Sequence, residues 1–168
     1  RPFVKWVGGK RQLLPEIERY LPSRFSRYYE PFVGGGAVLF HLQPRKAVIN
    51  DSNVELVNLY EVIRNAPNEL IKDLNRHKNE EAYFYEIRGL DRDKSAYTEL
   101  NNIQRASRIL YLNKTCYNGL FRVNSSGEFN SPFGRYKNPN IVNEVTIRAV
   151  SNYLTANDIQ ILNTDYEK

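Results

Sequence analysis

The segment Tyr29-Glu30-Pro31-Phe32-Val33-Gly34-Gly35-Gly36, answered about one helix later by Ile49-Asn50-Asp51, constrains this chain more than any other stretch. It reads as a strand that ends in a glycine turn, opens a helix, and leads to a second strand tipped with a carboxylate. That grammar describes a nucleoside-cofactor pocket. Glycines without Cβ atoms let a ligand lie against the backbone, and Asp51 offers two acceptor oxygens to a ribose diol. A dinucleotide fingerprint, G-x-G-x-x-G, would need a third glycine where Leu39 stands, although Gly34 and Gly36 fit. A Walker A loop is also absent, because Gly8-Gly9-Lys10 is followed by Arg11 and not by Ser or Thr. An ordinary βα turn could carry the same glycines. Asp51, 17 residues after Gly34 at a strand end, favours a bound nucleoside.

Around this segment the pattern predicts a helix over Pro15–Leu21, a strand over Arg27–Phe32, a helix from Ala37 to Leu42 and a strand over Lys46–Asn50. A further helix spans Val54–Arg64, with Leu56, Leu59, Tyr60 and Ile63 on one face. Pro67 suits the first turn of the next helix. This β-α-β-α order is that of a parallel sheet. From Asn68 to Asn113 the chain reads as helical and charged, with a well-patterned helix over Ile103–Leu112. Lys114–Asn140 reads as loop, rich in Asn, Ser, Gly, Pro and aromatics. A helix near Glu144–Leu154 and a strand over Asp158–Leu162 follow. The simplest organisation is an α/β core interrupted by a module at about residues 55–145.

At 168 residues and 41% hydrophobic, the chain suffices for one modest core, or for an incomplete core plus an insertion. It begins at Arg1 and not at a methionine, which suggests a trimmed or partial chain. No apolar run approaches the roughly 20 residues of a membrane span, and no charged leader precedes an apolar stretch. A cytoplasmic location is therefore expected. Cys116, the single cysteine, lacks partners for a disulfide or zinc and suits a small buried position. The net charge of +5 is unevenly placed: residues 1–27 and residues 101–150 each carry seven Lys/Arg against two Glu. Two basic segments flanking an acidic one suit a polyanion, although an uneven solvated surface would read alike.

Two further constellations carry chemistry. In Lys5-Trp6-Val7-Gly8-Gly9-Lys10-Arg11, backbone N–H groups and the Lys10 ammonium can face a carboxylate or phosphate, while core is the default place for Trp6, the chain's one tryptophan. In Tyr117-Asn118-Gly119-Leu120-Phe121-Arg122, continuing from Gly127 to Lys137, aromatics alternate with Asn, Arg and Lys on a glycine-rich loop. Such a loop can wedge into a base stack, contact base edges and hold phosphates, with Arg122 and Arg135 as guanine or phosphate readers. The alternative is an aromatic-anchored surface loop.

These motifs together resemble the DNA adenine methyltransferases of the Dam type, across nearly the whole chain. Phe3 to Lys10 is similar to that family's N-terminal cofactor motif, Glu30 to Gly36 to its glycine motif, and Asn50-Asp51-Ser52-Asn53 to its ribose-binding turn. Leu112-Asn113-Lys114, Tyr117 to Leu120 and Pro132 to Tyr136 resemble its target-recognition hairpin. The resemblance implies a Rossmann-like methyltransferase core with a partial parallel sheet, over residues 1–54 and 146–168. It implies an inserted, mostly helical target-recognition domain over 55–145. It also implies S-adenosylmethionine as cofactor, double-stranded DNA (typically GATC) as partner, and in some settings a companion restriction endonuclease. Trp6 and Lys10 would hold the methionine end, with Glu30, Gly34 and Gly36 shaping the pocket. Phe32 would pack near the sulfonium, Asp51 would take the ribose hydroxyls, and Asp165 with Tyr166 would border the adenine. Lys5, Leu120, Arg122 and Pro132 would contact bases, Tyr117 and Asn118 would enter the duplex, and Arg135 and Lys137 would add cationic contacts.

One departure stands against these agreements. The family's catalytic motif, Asp or Asn followed by Pro-Pro and Tyr or Phe, does not occur, since all eight prolines are isolated. An exocyclic amine is a poor nucleophile because its lone pair is delocalised into the ring, and that motif supplies the acceptors for its N–H groups. The expectation is a fragment of a methyltransferase that carries cofactor and sequence recognition but no catalytic residue. The alternatives are a catalytically inactive DNA-binding module and another nucleotide-binding enzyme such as a dehydrogenase, which the missing third glycine disfavours.

Overall fold

The computed structural model describes residues 3–165. Three parallel strands, β1 (Tyr28–Glu30), β2 (Lys46–Asn50) and β3 (Asp158–Leu162), lie in the order β1-β2-β3. Glu30 pairs with Ile49, which pairs with Ile161, so the carboxyl ends of all three strands share one edge. Open α/β sheets place ligands at that edge. β1 is shorter than the strand expected over Arg27–Phe32, because Pro31 has no N–H to donate and Val33 N–H turns to the Asn50 carbonyl at 2.9 Å.

The helices are α1 (Leu14–Tyr20), α2 (Ala37–Leu42), α3 (Val54–Asn65), α4 (Pro67–Leu74), α5 (Glu81–Gly89), α6 (Lys94–Thr98), α7 (Asn102–Thr115) and α8 (Glu144–Ala156). Their ends follow local chemistry. Asn53, Asn101 and Asn143 cap α3, α7 and α8 by accepting from backbone N–H groups, with Gln104 completing a capping box on α7. Pro67 opens α4, as its fixed φ favours. α3 is the central element: it packs on α7, α8 and β3, and its Leu56, Leu59, Tyr60 and Ile63 are buried. One contiguous apolar cluster runs from Phe3, Leu39 and Ile49 through α3 to Leu110, Phe129 and Ile147. Cys116 lies in it, and burial pushes its thiol up to about 11. Among the described residues, no helix is long and apolar enough to cross a membrane.

The stretch expected as loop after α7 has order of its own. A 3-10 turn at Tyr117–Gly119 leads into a narrow hairpin in which Asn130 N–H bonds the Arg122 carbonyl (2.9 Å) and Asn124 N–H bonds the Glu128 carbonyl (2.9 Å). Isolated antiparallel bridges, Val123 with Phe129 and Cys116 with Phe133, are its only ladder pairs among the described residues. Such sparse pairing leaves no long alternating run to read in sequence.

Candidate cofactor cleft and recognition loop

The glycine turn is held from three sides. Gly36 N–H bonds the Val33 carbonyl (2.9 Å), the buried Tyr60 hydroxyl donates to the Gly34 carbonyl (2.9 Å), and Gly34 N–H donates to Asp51 Oδ2 (3.1 Å). Gly36 has a φ of 74°, and a Cβ there would meet Phe40 and stand 2.7 Å from the Tyr60 hydroxyl, so only glycine fits. Asp51 Oδ1 accepts from Asn53 N–H at 2.9 Å. Each Asp51 oxygen thus accepts one amide and keeps a lone pair for a ligand hydroxyl. Behind it, buried Asn50 joins the strand ends: its Nδ2 donates to the carbonyls of Pro31 and Thr164 (both 3.0 Å), and its Oδ1 accepts from Thr164 N–H and hydroxyl (both 2.9 Å). These bonds tie Thr164, just past the end of β3, to the end of β2, and Asp165 follows it; Tyr166 lies outside the described residues.

Opposite the turn, the Trp6 indole covers Gly34, whose added Cβ would lie 3.5 Å from Trp6 Cδ1. Lys10 sits in a 3-10 turn (Lys10–Leu13) that runs into α1. Its ammonium bonds Glu30 Oε1 at 3.2 Å and the Phe32 carbonyl. The carboxylate that Lys10 meets therefore belongs to this chain. Glu30 is 5% exposed, and burial raises its pKa against the attraction of Lys10 and the hydrogen bond that the Tyr28 hydroxyl donates to Oε2 (2.9 Å). The remaining ammonium hydrogen of Lys10 is available to an anion. Phe32, 53% exposed, shares the same wall. The cleft encloses about 890 Å³, a volume typical of small-molecule sites, and Trp6, Lys10, Phe32, Gly34 and Asp51 line it.

The other wall of this cleft comes from the N-terminal segment, the last turn of α7 and the turn that follows it. Leu120, Lys5 and Lys114 face into it, and burial together with neighbouring Lys5 lowers the Lys114 pKa. Buried Asn113 fixes the junction: Oδ1 accepts from Lys5 N–H (3.1 Å), and Nδ2 donates to the carbonyls of Lys5 (2.7 Å) and Gly119 (2.9 Å). The Lys5 ammonium reaches the Asn118 carbonyl at 3.4 Å. Tyr117, Asn118, Leu120, Arg122, Pro132, Arg135 and Lys137 are all exposed, so every loop residue singled out in the sequence is presented to solvent. The loop's phenylalanines divide differently. Phe121 and Phe129 are buried against each other, and Phe121 stacks on Trp6 with centroids 4.3 Å apart at 14°. The loop is thus anchored by aromatics below and polar above, as the reading of an aromatic-anchored surface loop expects. Arg122 Nε donates to Asn130 Oδ1 (3.1 Å), whereas Arg135 pairs with Glu81 (3.0 Å) on the surface. Sequence reasoning passed over Tyr60 and Asn113 as site residues. A hydroxyl on an apolar helix face and an amide after Leu112 were the only signals.

A parallel sheet with a glycine turn and an acidic strand tip on a cleft at the carboxyl ends of its strands defines the α/β class to which this chain belongs. Residues 6–168 match the family described as D12 class N6 adenine-specific DNA methyltransferase, and the chain belongs to that family. The type II methyltransferase M1.LlaDCHI of Lactococcus lactis subsp. cremoris is 47% identical over 170 residues, covering 100% of this chain and 60% of that protein. The type II methyltransferase M.MjaIII of Methanocaldococcus jannaschii is 40% identical over 185 residues, covering 99% and 63%. A DNA adenine methylase of Serratia marcescens is 39% identical over 143 residues, covering 83% and 51%. The chain thus spans between half and two thirds of the length of these relatives.

Proposed function

We propose that the full-length protein transfers a methyl group from S-adenosylmethionine to the exocyclic amine of adenine in duplex DNA, in a GATC-type site. The chain described here supplies the cofactor and sequence-recognition parts. The observation that carries this reading is the single cleft with the glycine turn and Asp51 on one wall and the basic loop junction on the other. The cofactor's chemistry is an electrophilic sulfonium methyl. The cleft fits such a ligand, because Gly34 and Gly35 line it with bare backbone and Asp51 keeps acceptor capacity on both oxygens.

The residues act by binding and orienting. Lys10, held by Glu30, attracts a ligand carboxylate; Trp6 and Phe32 exclude water from one wall; Asp51 orients a ribose; Asp165 and Tyr166 border a base. In the DNA role, Tyr117 and Asn118 enter the duplex, Lys5, Leu120, Arg122 and Pro132 contact base edges, and Arg135 and Lys137 meet phosphates. Residues 55–145 form the target-recognition part, and residues 1–54 with 146–168 the cofactor-binding part. Relatives named type II methyltransferases support a companion restriction endonuclease, and a cytoplasmic site of action follows from a DNA substrate.

Transfer of a labelled methyl group to duplex DNA tests the proposal. Label should appear on adenine with the full-length gene product and be absent with the 168-residue chain, which has no D/N-P-P-Y/F motif. A full-length protein that binds DNA yet transfers nothing would establish the inactive DNA-binding module instead.

A further inference from the structure

The hairpin over residues 121–130 is held by side chains from the helical body more than by its own ladder, and Asp91 is at the centre of that hold. Asp91 lies in a 3-10 turn (Leu90–Arg92) after α5, with its side chain 13% exposed. Its Oδ2 accepts from Phe129 N–H at 2.7 Å and from Arg108 Nη2 at 2.9 Å, and its Oδ1 pairs with Arg92. Arg92 Nη2 in turn donates to the Phe129 carbonyl at 2.5 Å. The turn therefore takes both backbone groups of Phe129, the residue immediately before Asn130.

Asn130 is the residue whose Oδ1 receives Arg122 Nε. The guanidinium of Arg122 is oriented through a short relay: Arg108 on α7 fixes Asp91, Asp91 fixes the Phe129 amide, and Phe129 sets Asn130. Arg108 itself is 3% exposed, and it also donates to the carbonyls of Ile87 (2.9 Å) and Arg88 (2.8 Å). Its fork is held rigidly before the hairpin is considered. A bidentate base contact tolerates little angular error, so whatever sets Arg122 sets discrimination.

We propose that Asp91, braced by Arg108 and assisted by Arg92, is a positioning residue that sets sequence discrimination by the hairpin while touching no DNA itself. The proposal rests on the reading of this hairpin as the DNA-recognition element. The test uses full-length protein and a randomised duplex pool, and reads the enrichment of the preferred site over its single-base neighbours. Asp91→Asn leaves Arg108 buried without its carboxylate and can impair folding. Arg92→Ala, at a half-exposed position, is therefore measured beside it, with Arg92→Lys as the conservative rescue. In Arg92→Ala the enrichment ratio should fall about tenfold, with S-adenosylmethionine affinity and salt dependence of DNA binding unchanged and the thermal midpoint lowered by no more than about 2 to 4 °C; Arg92→Lys should recover part of the ratio. Folded Asp91→Asn should lose at least as much. Unchanged discrimination in Arg92→Ala and in folded Asp91→Asn, beside a wild type that discriminates, overturns the role of Asp91 alone. A wild type with no preference overturns the recognition reading, and with it this proposal.

Discussion

The two walls of the cleft are built by opposite means. On the cofactor side, geometry is set by backbone: strand register, a left-handed Gly36 with no room for a Cβ, and the Asn50 amide across the strand ends. On the loop side there is almost no ladder, and the chain is held by Asp91, Arg92, Asn113 and Asn79, the last donating to the Tyr136 carbonyl at 2.7 Å. A wall made of backbone has few permissible substitutions. A wall hung on side chains can be retuned one contact at a time, which suits the recognition role proposed for it.

The contrast breaks most readily at Gly36. Gly36→Val should destabilise the fold by about 3 to 5 kcal/mol and abolish cofactor binding, as denaturant titration and calorimetry would register; a near-neutral result would mean the turn is softer than its contacts imply. Asp51→Ala should weaken S-adenosylmethionine binding by about 2 to 3 kcal/mol with DNA selectivity retained. Arg122→Ala should do the reverse, relaxing selectivity by about 1 to 3 kcal/mol with cofactor affinity retained. Equal effects of both changes on both ligands would erase the division between the walls.

A smaller effect is a pH dependence lodged beneath the loop side. His77 is stacked on Tyr111 (4.4 Å, 15°) and bonded to the Tyr83 and Ser107 hydroxyls. Burial pushes its pKa from 6.5 down to about 4, against the nearby Asp73 carboxylate. The unfolded chain therefore binds the proton first. Stability should be level above pH 6.5 and fall as pH drops from there towards 4, with a slope of at most about 1.4 kcal/mol per pH unit. His77→Gln should flatten that part of the curve in denaturant titrations, and an unaltered slope would assign it to other groups. Smallest of all, Arg135→Ala should change stability by no more than about 0.5 kcal/mol, since its pair with Glu81 is solvent-exposed. It should still flatten the salt dependence of DNA binding if Arg135 meets a phosphate.

The same contrast governs what could be read in advance. Helix α2 and strands β2 and β3 occupy their anticipated spans, and α3 and α8 differ only at their ends, because hydrophobic period, caps and turn residues act locally. Asp51 falls where its strand-end position suggested, beside Gly34. What escaped were side chains that act over long stretches of chain. Tyr60 reaches 26 residues back to Gly34, Asn113 reaches 108 residues to Lys5, and Asp91 reaches 38 residues to Phe129. No periodicity marks such partners. Lys10 was legible as a cation at the pocket, but its own counter-ion, Glu30, became visible only once β1 and the first turn were brought together.

The stack of Trp6 on Phe121 has a practical consequence. The chain contains a single tryptophan, and it lies where the two walls meet, with Gly34 beneath one part of the ring and the hairpin's Phe121 against its face. Its emission therefore reports from one known place. A ligand settling on the turn and a duplex settling on the hairpin would each alter the surroundings of the same fluorophore, so these 168 residues carry a native optical probe of both events.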